Sequence, residues 1–433
     1  MHSCRPLTAE DNSGGNKTNV SPASAGDRFL RMMVFTLTNN PGSSGMNRIT
    51  SIAGAVLMAA ACAAQAADTV KIGFLTTLSG PASAPGIDER DGFMLALKML
   101  GGKLGGVTAE VIAVDDQFSP DAAKQGADRL IKREKVDILS GFVYSNILLA
   151  VAPAAFASKT VVISTNAAPA QLAGAGCSPY FFSTSYQNDA THEAAGKLIA
   201  DKGYNRVAVI APNYPAGKDA SAGVKRFLKS APVLELFPKL GQLDFASELA
   251  QLRAANVDVV YFFLPGGMGV NFVKQYAAAG MDPKITRVMP AYDADQQMLS
   301  NGDLIDGVAN TGQWSYDLPN EQNRAFVAAF LKEYGHQPSM FSSQAYDAAM
   351  LIDSALRTTG GKTDNREALI AALKTANFKS VRGNFRFAAN HFPIQNQYSR
   401  VVTKGADGKY VNKLTGTLLT DHVDVYVGQC KMQ

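Results

Sequence analysis

The chain holds one tryptophan, five histidines and four cysteines in 433 residues, and each scarcity closes off a class of function. His192, His336, His391 and His422 are scattered, without the paired spacing that holds a metal ion or the H-E-x-x-H pattern of a metallohydrolase. No C-x-x-C, no G-x-S-x-G elbow and no G-x-x-x-x-G-K-[ST] phosphate loop occurs, so redox, acyl-transfer and nucleotide-hydrolysing chemistry have no motif to rest on. Gly267-Met268-Gly269 has two glycines of a dinucleotide loop and lacks the third. No enzyme, cofactor or metal is expected. Nor is there a basic run with interleaved aromatics. The formal net charge is +4, of which the first 66 residues supply +2 with five Lys/Arg against three Asp/Glu, and a nucleic-acid partner is not expected. Past residue 66 no apolar run approaches the ~20 residues a membrane-spanning helix needs.

What is present begins with an internal export signal. Met46-Asn47-Arg48 is a short positive region, 49–63 an apolar core of small residues, and Ala64-Gln65-Ala66 an A-x-A cleavage site that leaves Ala67 first. Residues 1–45, rich in Ser, Gly, Asn and Thr, read either as sequence upstream of the true start or as a disordered leader. The signal is 46–66, and the product is expected in the periplasm. Removing it takes away Cys4 and Cys62. The remaining Cys177 and Cys430 read as one disulfide in an oxidising compartment, with two buried thiols as the alternative.

From residue 67 onward, strand-length apolar runs alternate with helical patterns, the signature of an α/β fold with mostly parallel sheets flanked by helices. Strands are expected at 70–76, 110–114, 136–140 and 161–164, with helices near 88–99, 121–134 and 146–157. The pattern then restarts, with strands at 207–210, 233–237, 257–264 and 287–289 and helices near 218–228, 245–255 and 269–279. Two similar units imply a cleft between them. The stretch 320–376 is mainly helical and returns to the first sheet, and 398–427 alternates like a hairpin around Gly405-Ala406-Asp407-Gly408.

In open α/β sheets, ligands bind beyond the carboxyl ends of strands, where helix N-termini present unpaired N–H groups and partial positive charge. Such a place suits a carboxylate. Four loops qualify. The turn Ser79-Gly80-Pro81 follows the first strand. Tyr144, Ser145 and Asn146 follow the third, the last two where an N-cap belongs. Asn166, Ala167 and Ala168 follow the fourth. Gly266 and Gly267 lie in the loop after the long strand of the second unit, where glycine lets backbone approach a ligand.

The run Val70-Lys71-Ile72-Gly73-Phe74-Leu75-Thr76-Thr77-Leu78-Ser79-Gly80-Pro81, then Gly86, Gly92 and Val114-Asp115-Asp116-Gln117, with Ala345-Tyr346-Asp347-Ala348 much later, resembles the type I periplasmic solute-binding proteins of branched-chain amino acid ABC transporters. The resemblance implies two lobes, 67–187 plus 316–385 and 188–315 plus 386–433 with a C-terminal extension. Three hinge crossovers would fall near 185–189, 313–316 and 384–387. It implies a monomer that closes on a small solute and delivers it to an ABC transporter permease. The family's amino-acid binders hold the carboxylate at positions matched by Tyr144 to Asn146 and Asn166 to Ala168, and close a tyrosine matched by Tyr214 over it. Ala168 stands where they place a threonine for the ammonium, Pro85 where they place a bulky aromatic, and their acidic anchor has only Asp293, beside Tyr292, nearby. The segments 263–269 and 429–432 are similar to the branch that binds aromatic carboxylates. Tyr186, Tyr214, Tyr292 and Trp314 could stack on such a ring. The expected solute is an aromatic acid of benzoate or phenylpropanoid type. The alternatives are a branched-chain amino acid or amide and, in another class, a sensor whose closure is read by a membrane signalling partner.

Overall fold

The computed structural model describes residues 69–290 and 296–432; the leader and signal segments lie outside them. The first sheet collects β1 (Thr69–Thr76), β2 (Lys103–Leu104), β3 (Val107–Asp115), β4 (Ile138–Gly141), β5 (Val161–Ser164) and β6 (Phe181–Ser183) in the order β2-β3-β1-β4-β5-β6. All its pairings are parallel except β2 with β3. Its helices are α1 (Ala84–Met99), α2 (Pro120–Arg129), α3 (Ser145–Ala157) and the single turn α4 (Ala170–Ala173). A strand covered by helices on both faces loses alternation and becomes continuously apolar. That is why Ile138–Gly141 and Val161–Ser164 are buried at every position.

After α5 (Asn188–Asp201) the second sheet is built from β7 (Val207–Ile210), β8 (Leu234–Leu236), β9 (Val259–Phe262), β10 (Thr286–Pro290) and β11 (Ala309–Gly312). Between them lie α6 (Pro215–Phe227), α7 (Ala246–Ala255), α8 (Gly267–Ala278) and α9 (Gln296–Leu299). The chain then forms α10 (Glu321–Tyr334), α11 (Met340–Thr358) and α12 (Arg366–Thr375), and comes back as β12 (Arg386–Phe387), β13 (Pro393–Lys404) and β14 (Tyr410–His422). The sheet order is β12-β13-β11-β10-β9-β7-β8 with β14 on β13. Helix α11 packs along α1 so closely that a Cβ at Gly92 would stand 2.1 Å from the Ser342 carbonyl oxygen. The late helices therefore cover the first sheet, and the chain passes three times between the two units: after β6, after β11 and before β12.

Three elements differ from the sequence expectation for one physical reason. Helix α5, strand β11 and the start of β13 bury polar side chains. Asn188, Asp189, Thr191, His192 and Glu193 are buried on α5, Asn310 and Thr311 on β11, and Gln395 and Gln397 on β13. Hydropathy therefore shows no stripe there, and the hairpin runs over 393–422 rather than 398–427. The expected helix over 121–134 ends at Arg129. One π-turn follows and closes on Lys135 in the left-handed region. Cys177, after α4, is bonded to Cys430, after β14, with Cα atoms 5.6 Å apart.

Candidate functional site

In each sheet the strand order reverses at one point, between β1 and β4 in the first and between β7 and β9 in the second. Such switch points leave a crevice at the strands' carboxyl ends. One narrow cavity takes its walls from both. Pro85 follows β1 and Val143, Tyr144 and Ser145 follow β4; Tyr214 and Ala216 follow β7, and Phe263 and Pro265 follow β9. Asn166, Tyr186, Asn188 and Phe341 complete it.

Two helices open onto this space. Tyr144 is the N-cap of α3 with extended backbone (φ −106°, ψ 133°) and Ser145 its first residue. Tyr214 is the extended N-cap of α6, with Pro215 next, where a missing N–H costs nothing. The first-turn N–H groups of a helix lack intrahelical partners and carry partial positive charge, so both ends favour an anion. Ser145 and Asn146 do not cap α3 as the sequence predicts. The helix starts one residue early, and Ser145 Oγ instead accepts a hydrogen bond from Asn188 Nδ2 at 3.1 Å.

A polar network fixes the wall. Tyr186 donates to Asn166 Oδ1 at 2.8 Å, and Asn166 Nδ2 donates to the Val143 carbonyl at 2.7 Å. Asn188 Oδ1 accepts the Ala168 N–H at 3.2 Å, and its Nδ2 also reaches Asp219 Oδ2 at 2.9 Å. That same carboxylate oxygen accepts the Ala170 N–H at 3.1 Å. Burial, joined by the charge of Asp189, pushes the Asp219 carboxyl up to about 7, against hydrogen bonds from Asn188 and Ala170. Among the described residues no carboxylate lines the cavity; Asp219 lies behind Asn188. The aromatic content is high, with Tyr214 and Phe263 tilted at 36° and 6.2 Å between ring centroids.

Comparison with known proteins decides what this architecture is. A family model described as periplasmic binding protein matches residues 69–408. The chain belongs to the periplasmic binding protein family. A Leu/Ile/Val-binding protein homolog 6 from Brucella melitensis is 30% identical over 378 residues, covering 85% of this chain and 96% of that protein. Among solved structures, a solute-binding protein of an ABC transporter from R. palustris in complex with benzoate superposes with a TM-score of 0.79 at 32% identity. It covers 84% of this chain and 100% of its own. One from Rhodopseudomonas palustris BisB5 in complex with 3,4-dihydroxybenzoic acid gives 0.77 at 32%, covering 82% and 99%. This periplasmic binding protein is thus an ABC-transporter solute-binding component, a non-enzymatic part of a transport system with the two-lobed fold. Among the described residues, no helix is long and apolar enough to cross a membrane.

In this binding protein the cavity brings together Tyr144, Ser145, Asn166, Tyr186 and Tyr214 of the residues expected from sequence. The others stand elsewhere. Ser79 is exposed and hydrogen-bonds to Asp115, because the turn directs it outward. Asn146 is one residue further round α3 and off the cavity wall, its Oδ1 buried without a partner. Ala167 and Ala168 are fully buried behind the wall, held by backbone bonds to Phe142 and Asn188. Gly266 (φ +60°) and Gly267 lie toward Pro81, and Gly267 lines a neighbouring cavity. Tyr292 and Asp293 fall outside the described residues. Trp314 does not face the cleft: it is 1% exposed, donates to Asn323 Oδ1 at 2.7 Å and packs edge-on to Phe326. Sequence reasoning missed Asn188, Phe263, Phe341 and Asp219. The crossover at 185–189 already contained Asn188 and the long strand Phe263. Nothing in the sequence pointed to Phe341, which arrives from the late helices.

Proposed function

We propose that this binding protein captures an aromatic carboxylate and presents it in the closed form to an ABC permease. The lobes would be 67–187 plus 316–385 and 188–315 plus 386–433, acting as a monomer, and the contacts Tyr144, Ser145, Asn166, Asn188 and Tyr214. The observation that carries the reading is the cavity's one-sided polarity. Two helix N-termini, the Ser145 hydroxyl and the second amide hydrogen of Asn166 offer donors to an anion, while no described acidic group on the wall offers an ammonium its counter-charge. A desolvated cation without a paired charge is costly, which weighs against an α-amino acid. The benzoate and dihydroxybenzoate complexes of the two R. palustris proteins support the same class. A branched-chain amino acid is the second reading, favoured by the Brucella relative's name and by Asp219 one side chain behind the wall.

The test is thermal unfolding of protein refolded from denaturant, to strip any carried solute, with benzoate, 4-hydroxybenzoate, leucine and valine at equal concentration. A ligand at 100 times its Kd stabilises by about 2.7 kcal/mol, which raises Tm by several degrees. A shift with the benzoates alone is expected. A shift with leucine or valine alone would keep the binding protein and replace its solute.

A further inference from the structure

The cavity wall carries a hydroxyl hydrogen without an acceptor. Ser145 lines the cavity and is 2% exposed, and its Oγ already accepts a hydrogen bond from Asn188 Nδ2. Among the described residues none accepts the Ser145 hydrogen in return. A buried donor left unpaired costs about 1–3 kcal/mol, so a donor in this position calls for an acceptor on the solute.

The direction of that hydroxyl is set from behind the wall. The Asn188 amide is held at both ends: Oδ1 accepts the Ala168 N–H, which can only donate, and Nδ2 gives its hydrogens to Asp219 Oδ2 and Ser145 Oγ. Turned end for end, the amide would set oxygen against carboxylate and N–H against N–H, so one orientation stands. Both Asn188 hydrogens are thereby committed. Ser145, accepting one of them, is left to donate its own. Asp219 is anchored in turn, since its Oδ2 also accepts the Ala170 N–H from α4. Ser145 and Ala170 lie on helices of the first sheet and Asp219 on a helix of the second, and the chain of bonds is whole only while the two sets of loops face each other.

We propose that Asp219 is a positioning residue of the site: acting through Asn188, it fixes the Ser145 hydroxyl as a donor, so that the solute atom received there is a carboxylate oxygen. This rests on the reading of the cavity as a carboxylate site and is indifferent to what the carboxylate is attached to. Asp219 itself does not line the cavity.

The arrangement carries a charge consequence. A bound carboxylate is a like charge two hydrogen bonds from Asp219. The groups facing Asp219 are Asn188 and Asp189 from α5, the Ala170 N–H from α4 and Arg226 from its own helix, and Arg226 is shared with Asp189, Glu193 and Tyr426. Burial and the Asp189 charge already hold the Asp219 carboxyl up at about 7, and an anion at Ser145 raises it further. Asp219 Oδ1 has no hydrogen bond among the described residues, and a proton there leaves Oδ2 accepting as before. Because the bound form has the higher pKa, binding takes up a proton, and affinity is full below about 7 and falls as pH rises through it.

The experiment is isothermal titration of the refolded protein with benzoate and with leucine at about pH 6 and 8, on the parent and on Asp219→Asn, Asp219→Leu, Ser145→Ala and the double variant Ser145→Ala with Asp219→Leu. For whichever acid the parent binds, Asp219→Leu is expected to weaken it about tenfold at the lower pH, the scale of one lost hydrogen bond to a charged group. Asp219→Asn keeps an oxygen for Asn188 and Ala170; it should recover most of that loss and bind more tightly than the parent at the higher pH. On Ser145→Ala the leucine substitution should add less than about twofold, because its effect passes through the missing hydroxyl. Equal losses in the two Asp219 variants, or the full loss from Asp219→Leu on Ser145→Ala, would overturn the inference. Should Asp219→Leu fail to fold, the parent and Asp219→Asn decide alone, equal pH dependence of the two counting against it. Leucine binding abolished by Asp219→Asn at both pH values would make Asp219 the counter-charge of an ammonium and overturn it as well. Leucine binding without benzoate binding, with the recovery by Asp219→Asn intact, would keep the inference and overturn the aromatic-acid reading.

Discussion

Asn188 is the side chain at which the two halves of the cavity meet, touching Ser145 of α3 and Asp219 of α6 with one amide nitrogen. Tyr214, on the α6 side, packs on Phe263 and closes the cavity from the second sheet. Tyr214→Ala should weaken solute binding at least tenfold, about 1.4 kcal/mol, with Tm of the empty protein changed little; titration calorimetry would read it, and unchanged affinity would move the site away. Glu89 on α1 makes a second prediction. Burial pushes its carboxyl up to about 8, against a hydrogen bond from Thr76. Because the folded pKa lies above the unfolded one, the unfolded chain releases this proton first. Its contribution to stability is intact below pH ~4.5 and falls by about 1.4 kcal/mol per pH unit as pH rises toward 8. Glu89→Gln should remove that slope, so the variant gains on the parent with rising pH in denaturant titrations. Equal pH dependence of the two proteins would contradict it. At this scale the sequence was informative where a loop directly follows a strand, as for Tyr144, Ser145 and Asn166, while Tyr214 was reached through the family resemblance alone. It was silent where a residue reaches the site from a distant segment, as Phe341 does.

Elements whose partners are apolar were readable and those whose partners are polar were not. The strands 161–164 and 207–210 stand where their apolar runs put them, because burial on both faces writes itself into composition. Helix α5, with a buried face of Asn188, Asp189, His192 and Glu193, has no such signature; its partners are polar groups of other elements, Asp219 and Arg226 on α6, Tyr261 on β9 and His422 at the end of β14. The same logic governs Asp347 on α11. Its carboxylate accepts Arg382 Nη2 at 2.9 Å, and the guanidinium also donates to the Thr184 and Ser185 carbonyls and to Gln395 Oε1. Asp347 and Arg382 thus pin the first crossover to the start of β13 under near-complete burial. Asp347→Ala would leave a buried, unpaired guanidinium, a loss of about 3–5 kcal/mol. Chemical denaturation would show it as a lowered midpoint; a loss under about 1 kcal/mol would mean the backbone carbonyls alone satisfy Arg382.

Among the described residues three chain passages and one disulfide connect the two sheets' units. The bond joins residues 253 apart in sequence, and the chain-entropy account assigns a loop of that length about 5 kcal/mol of stabilisation through the unfolded state. The double variant Cys177→Ser with Cys430→Ser should therefore unfold at a clearly lower temperature in calorimetry while binding the same solute. Unchanged Tm would place the bond's role outside stability. The bond also alters what a protease can accomplish. A single cut anywhere between Cys177 and Cys430, for example in the exposed turn around Gly408, yields two polypeptides that remain one covalent molecule. Outside the cytoplasm, where disulfides persist, a copy nicked at that turn would keep β14 and the C-terminal segment tied to the piece that carries every residue of the solute cavity.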